Sequence, residues 1–465
     1  MTNINIGKKE LIHFVGVGGI GMSGLAQIMK TMGLNVQGSD LIKNKNTDNC
    51  KKVGIRILVG HKKKNILNAT IIVRSTAIKN NNIELIEARR KRIPIYERAE
   101  MLANIVALKK NIVITGSHGK TTTTSLVAKI LSLSKLDPTI INGGVIKSLN
   151  SNAKFGRGEW AVLEADESDG SFLKLPINYS VITNLDNEHL DFYKSYKNLK
   201  NAFIKFIKKT PPIGKTIICL DNKNLKNILK KIDKKNYLTY GFDKNSNYQI
   251  LNPRYELTSS KFDLRIFGQG AKRITIKNII INLIGEHNVL NSSAAIAVCL
   301  NLGIPINIIK KALKNFSGVE RRLTKVFEKN KNEFFDDYAH HPTEIQTVLK
   351  GLRRVYKERK IISIFQPHRY SRIKNLKKEF TSSFSIADLV LLCPIYAAGE
   401  KKDKNFNVEN FADLIAENSN VQVVQVKDKT DLLRFFKKNL INNEIVVGMG
   451  AGSISKWIYD LESAI

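Results

Sequence analysis

A lysine that directly follows a glycine-rich turn is the strongest chemical signal in the sequence. Residues 112–124 read IVITGSHGKTTTT, so an apolar run ends in a turn with two glycines and then Lys120. At a helix start such a turn points backbone N–H groups at one spot, and the helix dipole adds positive potential there. The lysine can reach the β- or γ-phosphate of a nucleotide, and the hydroxyl of Thr121 can bind Mg²⁺. The segment therefore predicts a phosphate loop.

This predicted loop is shorter than the G-x-x-x-x-G-K-[ST] pattern, because Ile114 stands at the position of the first glycine. The alternative is an ordinary strand-to-helix turn rich in glycine and threonine, which leaves the lysine after the last glycine unexplained. We expect Lys120 to act in catalysis as well as in binding. The expected ATP contacts of the loop are Gly116, Ser117, His118, Gly119, Lys120, Thr121 and Thr122.

Two later segments place polar groups where apolar strands end, which is where open α/β sheets bind ligands. Residues 160–169 read WAVLEADESD, and a phosphate-loop enzyme needs an acid here to hold Mg²⁺, so Glu164 is the predicted ligand. Glu167 and Asp169 could support this acid or contact a substrate, and Glu167 and Ser168 are expected to contact a UDP-sugar. Residues 181–191 read VITNLDNEHLD, and His189 could ligate a metal or orient a phosphate. The alternatives are a solvated acidic turn and a structural histidine.

A second glycine pattern lies near the start of the chain. Residues 16–21 read GVGGIG after an apolar strand, and Asp40 ends the next strand, which matches the dinucleotide fingerprint. Alone it would favour NAD(P) and an oxidoreductase, but that reading gives the phosphate loop no role. The pattern selects a pyrophosphate beside a ribose hydroxyl, and a UDP-sugar offers both. The expected UDP-sugar contacts here are Gly16, Gly18, Gly19, Gly21, Ser39, Asp40 and Ser75.

The last third of the chain holds a group of histidines and arginines. Residues 336–344 read DDYAHHPTE and residues 365–372 read FQPHRYSR, each after a predicted strand. Arg369 and Arg372, three residues apart, suit bidentate capture of a carboxylate or phosphate, with plain surface charge as the alternative. Residues 285–291 read GEHNVLN and open a helix, where His287 and Asn288 can reach an adenine edge.

The elements that must position these residues alternate between strands and helices throughout. The pattern predicts an α/β protein of three domains, each with a largely parallel Rossmann-like or P-loop-type sheet. The central one is expected to carry an added antiparallel sheet, because residues 236–284 alternate like short strands. The predicted domains are 1–107, 108–319 and 320–465.

The formal net charge is +34, which raises a nucleic-acid-dependent ATPase as one reading. We favour lysines spread over solvated faces, because the lysine-rich stretches carry few aromatic residues and lie away from the motifs. We expect neither nucleic acid nor a membrane as a partner, since no apolar run approaches the ~18 residues of a membrane span. Four well-separated cysteines fit a reducing cytoplasm and exclude a zinc site.

Seven segments together resemble the Mur ligase family over nearly the whole chain. GVGGIGMSG, TGSHGKTTTT, EADESD, GEHNVLN, GVERR, DYAHHPTE and FQPHRYSR occur in the family's order. The forms EADESD and QPHRYSR are similar to the alanine-adding member, and the murein-peptide ligase is the nearest relative that could be confused with it. The resemblance implies UDP-N-acetylmuramate, L-alanine and ATP as substrates, two Mg²⁺ ions, and a monomer or weak homodimer.

The resemblance also implies a place for each group. An N-terminal domain would bind the UDP-sugar, a central one ATP, and a C-terminal one would contact the amino acid and ATP. Thr121, Glu164 and His189 would hold magnesium. His287, Asn288, Asn291, Arg321 and Asp337 would serve ATP, with Asp337 at the ribose. Tyr338, His340, Arg369 and Arg372 would face the amino acid and the muramoyl carboxylate. The resemblance leaves open whether His340 or His189 deprotonates the amine.

Overall fold

Three sheets organise the chain. The computed structural model describes residues 7, 9–211, 213–267, 273–403 and 405–465. The chain divides into two compact units. The first comprises Met1–Asn252, Phe262–Ile281 and Leu290–Ser317, and the second comprises Pro253–Lys261, Asn282–Val289 and Gly318–Ile465. Among the described residues, no helix is long and apolar enough to cross a membrane.

The first sheet has five parallel strands in the order β3-β2-β1-β4-β5. Side chains from both faces of β1 are buried, because helices cover both faces of a parallel sheet. A short 3₁₀ turn spans Lys63–Ile66. The elements are β1 (Leu11–Val15), α1 (Ile20–Thr31), β2 (Asn35–Asp40), α2 (Lys45–Lys52), β3 (Arg56–Val59), β4 (Ile71–Arg74), α3 (Ile83–Arg90), β5 (Ile95–Glu97) and α4 (Arg98–Ile105).

The central sheet has ten strands. Its elements are β6 (Lys110–Thr115), α5 (Lys120–Leu133), β7 (Thr139–Ile146), β8 (Ser151–Lys154), β9 (Trp160–Glu164), β10 (Tyr179–Ile182), α6 (Leu190–Tyr193), α7 (Tyr196–Lys209), β11 (Thr216–Cys219), α8 (Lys223–Leu229), β12 (Tyr237–Gly241), β13 (Tyr248–Tyr255), β14 (Ser260–Phe267), β15 (Arg273–Ile281), α9 (Glu286–Asn301) and α10 (Ile306–Lys314). The 3₁₀ turns are Lys147–Leu149, Ser171–Lys174 and Lys234–Asn236. The strand order is β15-β14-β13-β12-β11-β10-β6-β9-β7-β8.

The register of the central sheet brings the predicted chemical segments to one edge. β6 pairs in parallel with β9 and with β10, so Ile114 lies opposite Glu164 and Thr115 opposite Ile182. The loops that follow these three strands therefore leave the sheet side by side. The strands between residues 236 and 284 extend this same sheet, with β12 and β13 paired in parallel. Antiparallel pairing enters the sheet at the β7–β8 hairpin.

The third sheet has six strands in the order β16-β17-β21-β18-β19-β20. Only the edge pair β16–β17 is antiparallel in this sheet as described. Apolar clusters cover both of its faces, one around Phe365 and Phe384 and the other around Phe334 and Ile458. The elements are β16 (Thr324–Lys329), β17 (Asn332–Asp337), α11 (Pro342–Val355), β18 (Ile361–Phe365), α12 (Tyr370–Asn375), α13 (Lys377–Thr381), β19 (Leu389–Leu392), α14 (Val408–Ser419), β20 (Gln422–Gln425), α15 (Lys429–Asn439), β21 (Ile445–Met449) and α16 (Ile454–Leu461).

The first two sheets belong to one compact unit. The β7–β8 hairpin approaches α1 closely, since the Asn152 carboxamide donates to the Ile20 carbonyl (2.8 Å) and a Cβ at Gly24 would crowd it. The Lys174 ammonium pairs with Glu97 (2.6 Å) and Glu100 (3.0 Å). Residues 107 and 108 both lie within this unit, and the division into domains at this point stays a prediction.

Candidate active site

Two glycines fix the shape of the phosphate loop. Gly116 has φ +130°, and a Cβ there would overlap the Thr183 hydroxyl. Gly119 has φ +82°, and a Cβ there would come within 2.5 Å of the Asn291 Oδ1. At both positions a larger residue is disfavoured for two reasons: the φ angle is positive, and a neighbouring side chain occupies the space of a Cβ. α5 begins directly afterwards at Lys120, as the sequence predicts.

The segment after β10 clamps the loop. The Asn184 carboxamide accepts the His118 N–H (2.7 Å) and donates to the His118 carbonyl (3.0 Å). The Ser117 N–H donates to the Asn184 carbonyl (3.2 Å), and the Ser117 hydroxyl accepts the Asp186 N–H (2.9 Å). The Thr183 hydroxyl donates to the His118 carbonyl (2.5 Å). The loop is thus rigidly held by residues that the sequence did not single out.

Lys120 lies at the centre of a carboxylate cluster. Its ammonium donates to the Gly116 carbonyl (2.5 Å) and the Ser117 carbonyl (3.2 Å), and it pairs with Glu167 (2.9 Å). Burial acts to lower the pKa of Lys120, but the negative charges of Glu167, Asp166 and Glu164 outweigh it and raise that pKa above its ordinary value. Lys120 is therefore a permanent cation at the start of α5, where the helix dipole adds positive potential.

Glu164 and Thr121 offer oxygen atoms at the end of β9. The Thr121 hydroxyl donates to Glu164 Oε1 (3.1 Å), and Gly143 N–H donates to Glu164 Oε2 (2.6 Å). A Cβ at Gly143 would overlap the Glu164 carboxylate, so this glycine leaves room for it. A hydroxyl beside a carboxylate is a donor set of the hard kind that Mg²⁺ prefers. The arrangement fits the magnesium ion that the sequence predicts.

His189 faces the same cluster from the other side. Its Nε2 lies 3.5 Å from Glu167 and 3.4 Å from Glu188. Burial opposes the charged imidazolium, but Glu167 and Glu188 raise the pKa of His189 above its ordinary value. A protonated imidazole cannot bind a metal, so His189 suits a magnesium site only after it loses its proton. His118 lies in a similar acidic setting, 2.9 Å from Asp186 and 3.3 Å from Glu188.

Glu167 is a link between Lys120 and His189. Its side chain is 2% exposed and touches both cations, and its backbone carbonyl accepts the Tyr193 hydroxyl (2.5 Å). Ser168 follows it, with its N–H on the Asp166 carboxylate (2.9 Å). The structure therefore places Glu167 at the phosphate loop, while its predicted contact with the sugar substrate stays a prediction.

The residues of the first fingerprint also converge. The Gly18 N–H donates to Asp40 (2.7 Å), and the Ser39 carbonyl accepts the Gly16 N–H (2.9 Å). Ser75 lies against Gly16, where a Cβ would meet it at 3.3 Å. Gly19 N–H turns back to the Gly16 carbonyl (3.4 Å) at the start of α1. A further cation is nearby, since the Arg98 side chain packs beside Gly21.

A buried polar network supports this turn from beneath. The fully buried Glu84 accepts the Ser39 hydroxyl (2.6 Å) and the Asn65 carboxamide (2.5 Å), and lies 3.1 Å from His61. Burial raises the pKa of Glu84, but hydrogen bonds from His13, His61 and Ser39 bring it well below its usual range. The sequence did not indicate this network, because its members are far apart along the chain.

In the second compact unit, Asp337 ends β17 as predicted. Its carboxylate accepts the Leu323 N–H (2.7 Å) and the Ala339 N–H (2.7 Å), and burial raises its pKa to about 6. The Arg321 guanidinium donates to the Gly450 carbonyl (2.5 Å) and lies 4.7 Å from the centre of the Tyr338 ring. Each oxygen of Asp337 keeps a further lone pair for a hydroxyl.

A row of four rings continues from Tyr338. The ring centres of Tyr338 and His340 are 5.2 Å apart, those of His340 and His368 5.5 Å, and those of His368 and Tyr396 5.8 Å. The Arg372 guanidinium lies 3.0 Å from His368 Nδ1. Arg369 has φ +68°, and its N–H donates to the Tyr396 carbonyl (2.9 Å). Tyr396 was not predicted, because it belongs to a segment without a recognisable motif.

The histidines of this unit are held neutral. Burial lowers the pKa of His340 to about 3, and burial together with Arg372 and Arg369 lowers the pKa of His368 to about 4. His287 behaves alike, since burial and then Arg322 lower its pKa to about 4. The Asn288 carboxamide donates to the Ile284 carbonyl (2.8 Å) and lies 3.0 Å from His287 Nε2. Asn291 belongs to the first unit, where it accepts the Thr123 hydroxyl (3.3 Å).

Comparison with known proteins identifies the family of this chain. Three family models match consecutive parts of the chain: "Mur ligase family, catalytic domain" at residues 11–110, "Mur ligase middle domain" at 114–299 and "Mur ligase, glutamate ligase domain" at 321–452. A UDP-N-acetylmuramate–L-alanine ligase of Pelagibacter ubique is 57% identical over 99% of this chain and 100% of its own. The chain belongs to the Mur ligase family. It is therefore an ATP-dependent ligase.

Solved Mur ligase structures share the fold. The UDP-N-acetylmuramate–alanine ligase of Thermotoga maritima is 28% identical, with a TM-score of 0.82 over 97% of this chain and 98% of its own. A murein peptide ligase of Psychrobacter arcticus has a TM-score of 0.72 over 98% of both chains, but at 22% identity it shows the fold alone. The predicted α/β architecture with three sheets is confirmed.

Several residues of this Mur ligase site escaped sequence reasoning. Thr183 and Asn184 hold the phosphate loop, and Gly143 makes room for Glu164. Their signal was weak, since each is a small or polar residue directly after or within a strand. Asn184 could have been predicted from its place directly after β10, because neighbouring parallel strands such as β6 and β10 end at the same edge of the sheet.

Proposed function

We propose that this Mur ligase joins L-alanine to the lactyl carboxylate of UDP-N-acetylmuramate with hydrolysis of ATP to ADP and phosphate. The step belongs to peptidoglycan precursor synthesis in the cytoplasm. The observation that carries the reaction type is the meeting of Lys120, Thr121 and Glu164 at one sheet edge. The choice of substrates is supported by the relative that is 57% identical over 99% of this chain.

The reaction needs activation because oxide is a very poor leaving group. In the first step a lactyl carboxylate oxygen attacks the γ-phosphorus of ATP, the bond to the β–γ bridging oxygen breaks, and ADP leaves. The product is an acyl phosphate. In the second step the neutral amine of alanine attacks the acyl carbon, and the tetrahedral intermediate expels phosphate as the amide forms. One proton leaves the nitrogen in that step.

The first step brings two anions together, so the site must supply positive charge. Lys120 supplies it at the phosphate loop, since the surrounding carboxylates keep its ammonium protonated. Thr121 and Glu164 would hold Mg²⁺, with His189 as a further ligand in its neutral form. When bound, the ion would neutralise charge on the phosphates. The clamp from Asn184 keeps the loop in place during the transfer.

The second step needs a carboxylate partner and a proton acceptor. Arg369 and Arg372 are the proposed partners of the alanine carboxylate. His340 Nδ1 lies 2.9 Å from the Tyr338 carbonyl, which only an N–H can satisfy, so its Nε2 carries a lone pair. Glu167 and Glu188 raise the pKa of His189 against the effect of burial, so its imidazole is protonated more easily than an ordinary one. We therefore propose that His340 positions the amine by accepting a hydrogen bond at Nε2, while the released proton passes to solvent, because burial lowers the pKa of His340 to about 3.

The proposed division of labour follows the predicted domains. Residues 1–107 would bind the UDP-sugar, residues 108–319 ATP, and residues 320–465 the amino acid with further ATP contacts. The limits of the three family models, 11–110, 114–299 and 321–452, support these boundaries. We also propose a monomer or weak homodimer. A cytoplasmic location is supported by four buried free cysteines and by the need for ATP.

Phosphate release from ATP tests the proposal directly. Purified enzyme with Mg²⁺, ATP and UDP-N-acetylmuramate should release phosphate only when L-alanine is added, and mass spectrometry should show the alanyl product. Release that depends on a tripeptide instead of alanine would assign the chain to the murein-peptide type. Absence of release with every combination of these substrates would refute the ligase assignment.

A further inference from the structure

The Lys120 ammonium has no spare donor. An ammonium carries three N–H groups, and Lys120 directs them at the Gly116 carbonyl (2.5 Å), the Ser117 carbonyl (3.2 Å) and the Glu167 carboxylate (2.9 Å). A nucleotide phosphate that binds Lys120 must therefore take the place of one of these three partners. One of the two carbonyls or the carboxylate must therefore dissociate from the Lys120 ammonium.

The two carbonyls cannot easily retreat. They belong to the loop backbone, which Asn184 ties at Ser117 and at both sides of His118. The left-handed Gly116, wedged against the Thr183 hydroxyl, removes the remaining freedom. Withdrawal of either carbonyl would therefore require the loop to unfold locally.

Glu167 is the partner that can give way. It is the one anion of the three, so it occupies the position that a phosphate oxygen would take. It also has a second partner in reach, since His189 Nε2 lies 3.5 Å from its Oε1. A carboxylate that leaves Lys120 thus keeps a partner and does not become an unpaired buried charge, which would be costly.

We infer that Glu167 is a positioning residue that holds Lys120 over the phosphate loop and is exchanged for the nucleotide phosphates while it stays paired with His189. The inference rests on the proposed function, because it assumes that ATP binds at this loop. It gives Glu167 a role in nucleotide binding that its predicted contact with the sugar substrate does not contain. Because Glu167 competes with the phosphates for Lys120, it lowers the affinity for the nucleotide. It also holds the Lys120 side chain in position before the nucleotide binds.

Affinity for ATP without metal is the most direct test. Binding of ATP in EDTA is measured by calorimetry, or by displacement of a fluorescent nucleotide, for the wild type, Glu167→Gln and Asp166→Asn. Glu167→Gln removes the competing charge and should bind ATP about three- to tenfold more tightly, as expected for one charge near a polyphosphate. Because EDTA removes magnesium, the result does not depend on any metal ligand.

Asp166→Asn is the matched control. Asp166 also acts on Lys120 through its negative charge, while its carboxylate accepts the Ser168 N–H (2.9 Å). Its removal deletes the same charge next to Glu167 in the chain without deleting the contact. ATP affinity of this variant should stay within about twofold of the wild type, because a longer-range charge is more strongly screened.

The possible results distinguish a failure of the Glu167 exchange from a failure of the proposed ligase function. An unchanged or weaker affinity in Glu167→Gln, or an equal gain in both variants, would overturn the exchange role. If Glu167→Gln does not fold, as judged by circular dichroism, Glu167→Asp replaces it and should show a smaller gain, since the shortened carboxylate reaches Lys120 less well. A wild-type enzyme that binds no ATP even with Mg²⁺ would refute the proposed function itself.

Discussion

Two groups of basic side chains in this molecule lie in opposite electrostatic surroundings. Around the phosphate loop, His189 and Lys120 are enclosed by Glu164, Glu167 and Glu188, and their pKa values are raised. In the second compact unit, burial and neighbouring arginines lower the pKa of His340 to about 3 and that of His368 to about 4. One region therefore keeps its cations charged, and the other keeps its imidazoles neutral.

Because their charges differ, the phosphate loop and the row of four rings should bind an anion in different ways. At the phosphate loop the positive charge is already balanced, so a phosphate enters by exchange with an internal carboxylate. In the row of four rings, the Arg372 guanidinium lies 3.0 Å from Nδ1 of His368, whose pKa is lowered to about 4. A guanidinium beside a neutral imidazole suits a small zwitterion with one carboxylate.

Removal of the cation at the phosphate loop should have the largest effect on activity. In Lys120→Ala the acidic cluster loses its counter-charge, and turnover should fall at least about 1,000-fold, as for other groups that stabilise transferring phosphoryl charge. Binding of UDP-N-acetylmuramate, measured by calorimetry, should survive. A variant that keeps more than a tenth of the wild-type rate would contradict the role of Lys120.

Removal of a cation from the other region should have a selective effect. In Arg372→Ala the KM for alanine should rise about 10- to 100-fold, as expected for loss of a charge-assisted pair, and the KM for ATP should change little. Lys378, an exposed lysine on α13, provides the charge-matched control as Lys378→Ala. Equal rises in both KM values for Arg372→Ala would count against its assignment.

A small substitution beside Glu164 should weaken the response to magnesium. In Gly143→Ala the new Cβ would overlap the Glu164 carboxylate and turn it away from Thr121. We expect the Mg²⁺ concentration for half-maximal activity to rise about tenfold, in line with losses seen when ligand orientation is disturbed. The test is a magnesium titration of phosphate release. Gly351→Ala on α11, where a Cβ meets nothing, should leave that value unchanged.

The smallest effect concerns protonation in the ring row. The unfolded chain binds protons at histidine near pH 6.5, whereas folded His287, His340 and His368 refuse them until about pH 3 to 4. Their lowered pKa values therefore cost stability as the pH falls below about 6.5 and cost none above it. NMR of labelled histidine should show these three neutral at pH 6. In Arg372→Ala the pKa of His368 should rise, and an unchanged value would contradict the stated cause.

The chemical role of short local segments could be predicted from the sequence. The phosphate loop, the acid at the end of β9 and the fingerprint at Gly16 were each recognisable, because turn shape and helix start depend on residues a few positions apart. The alternation of strands and helices indicated three α/β sheets for the same reason. It did not indicate that the strands after residue 236 extend the central sheet, since pairing partners are chosen across long distances.

The groups that can do chemistry are recognisable along the chain: a lysine after a glycine turn, an acid after a strand, and arginines beside histidines. Their charge states and their partners depend on the folded arrangement. Glu167 meets Lys120, Asn184 meets His118, and Tyr396 meets His368, each across a gap in the chain that no local pattern spans. The physical reason is that burial and charge act through space, so a pKa depends on neighbours that only folding brings together.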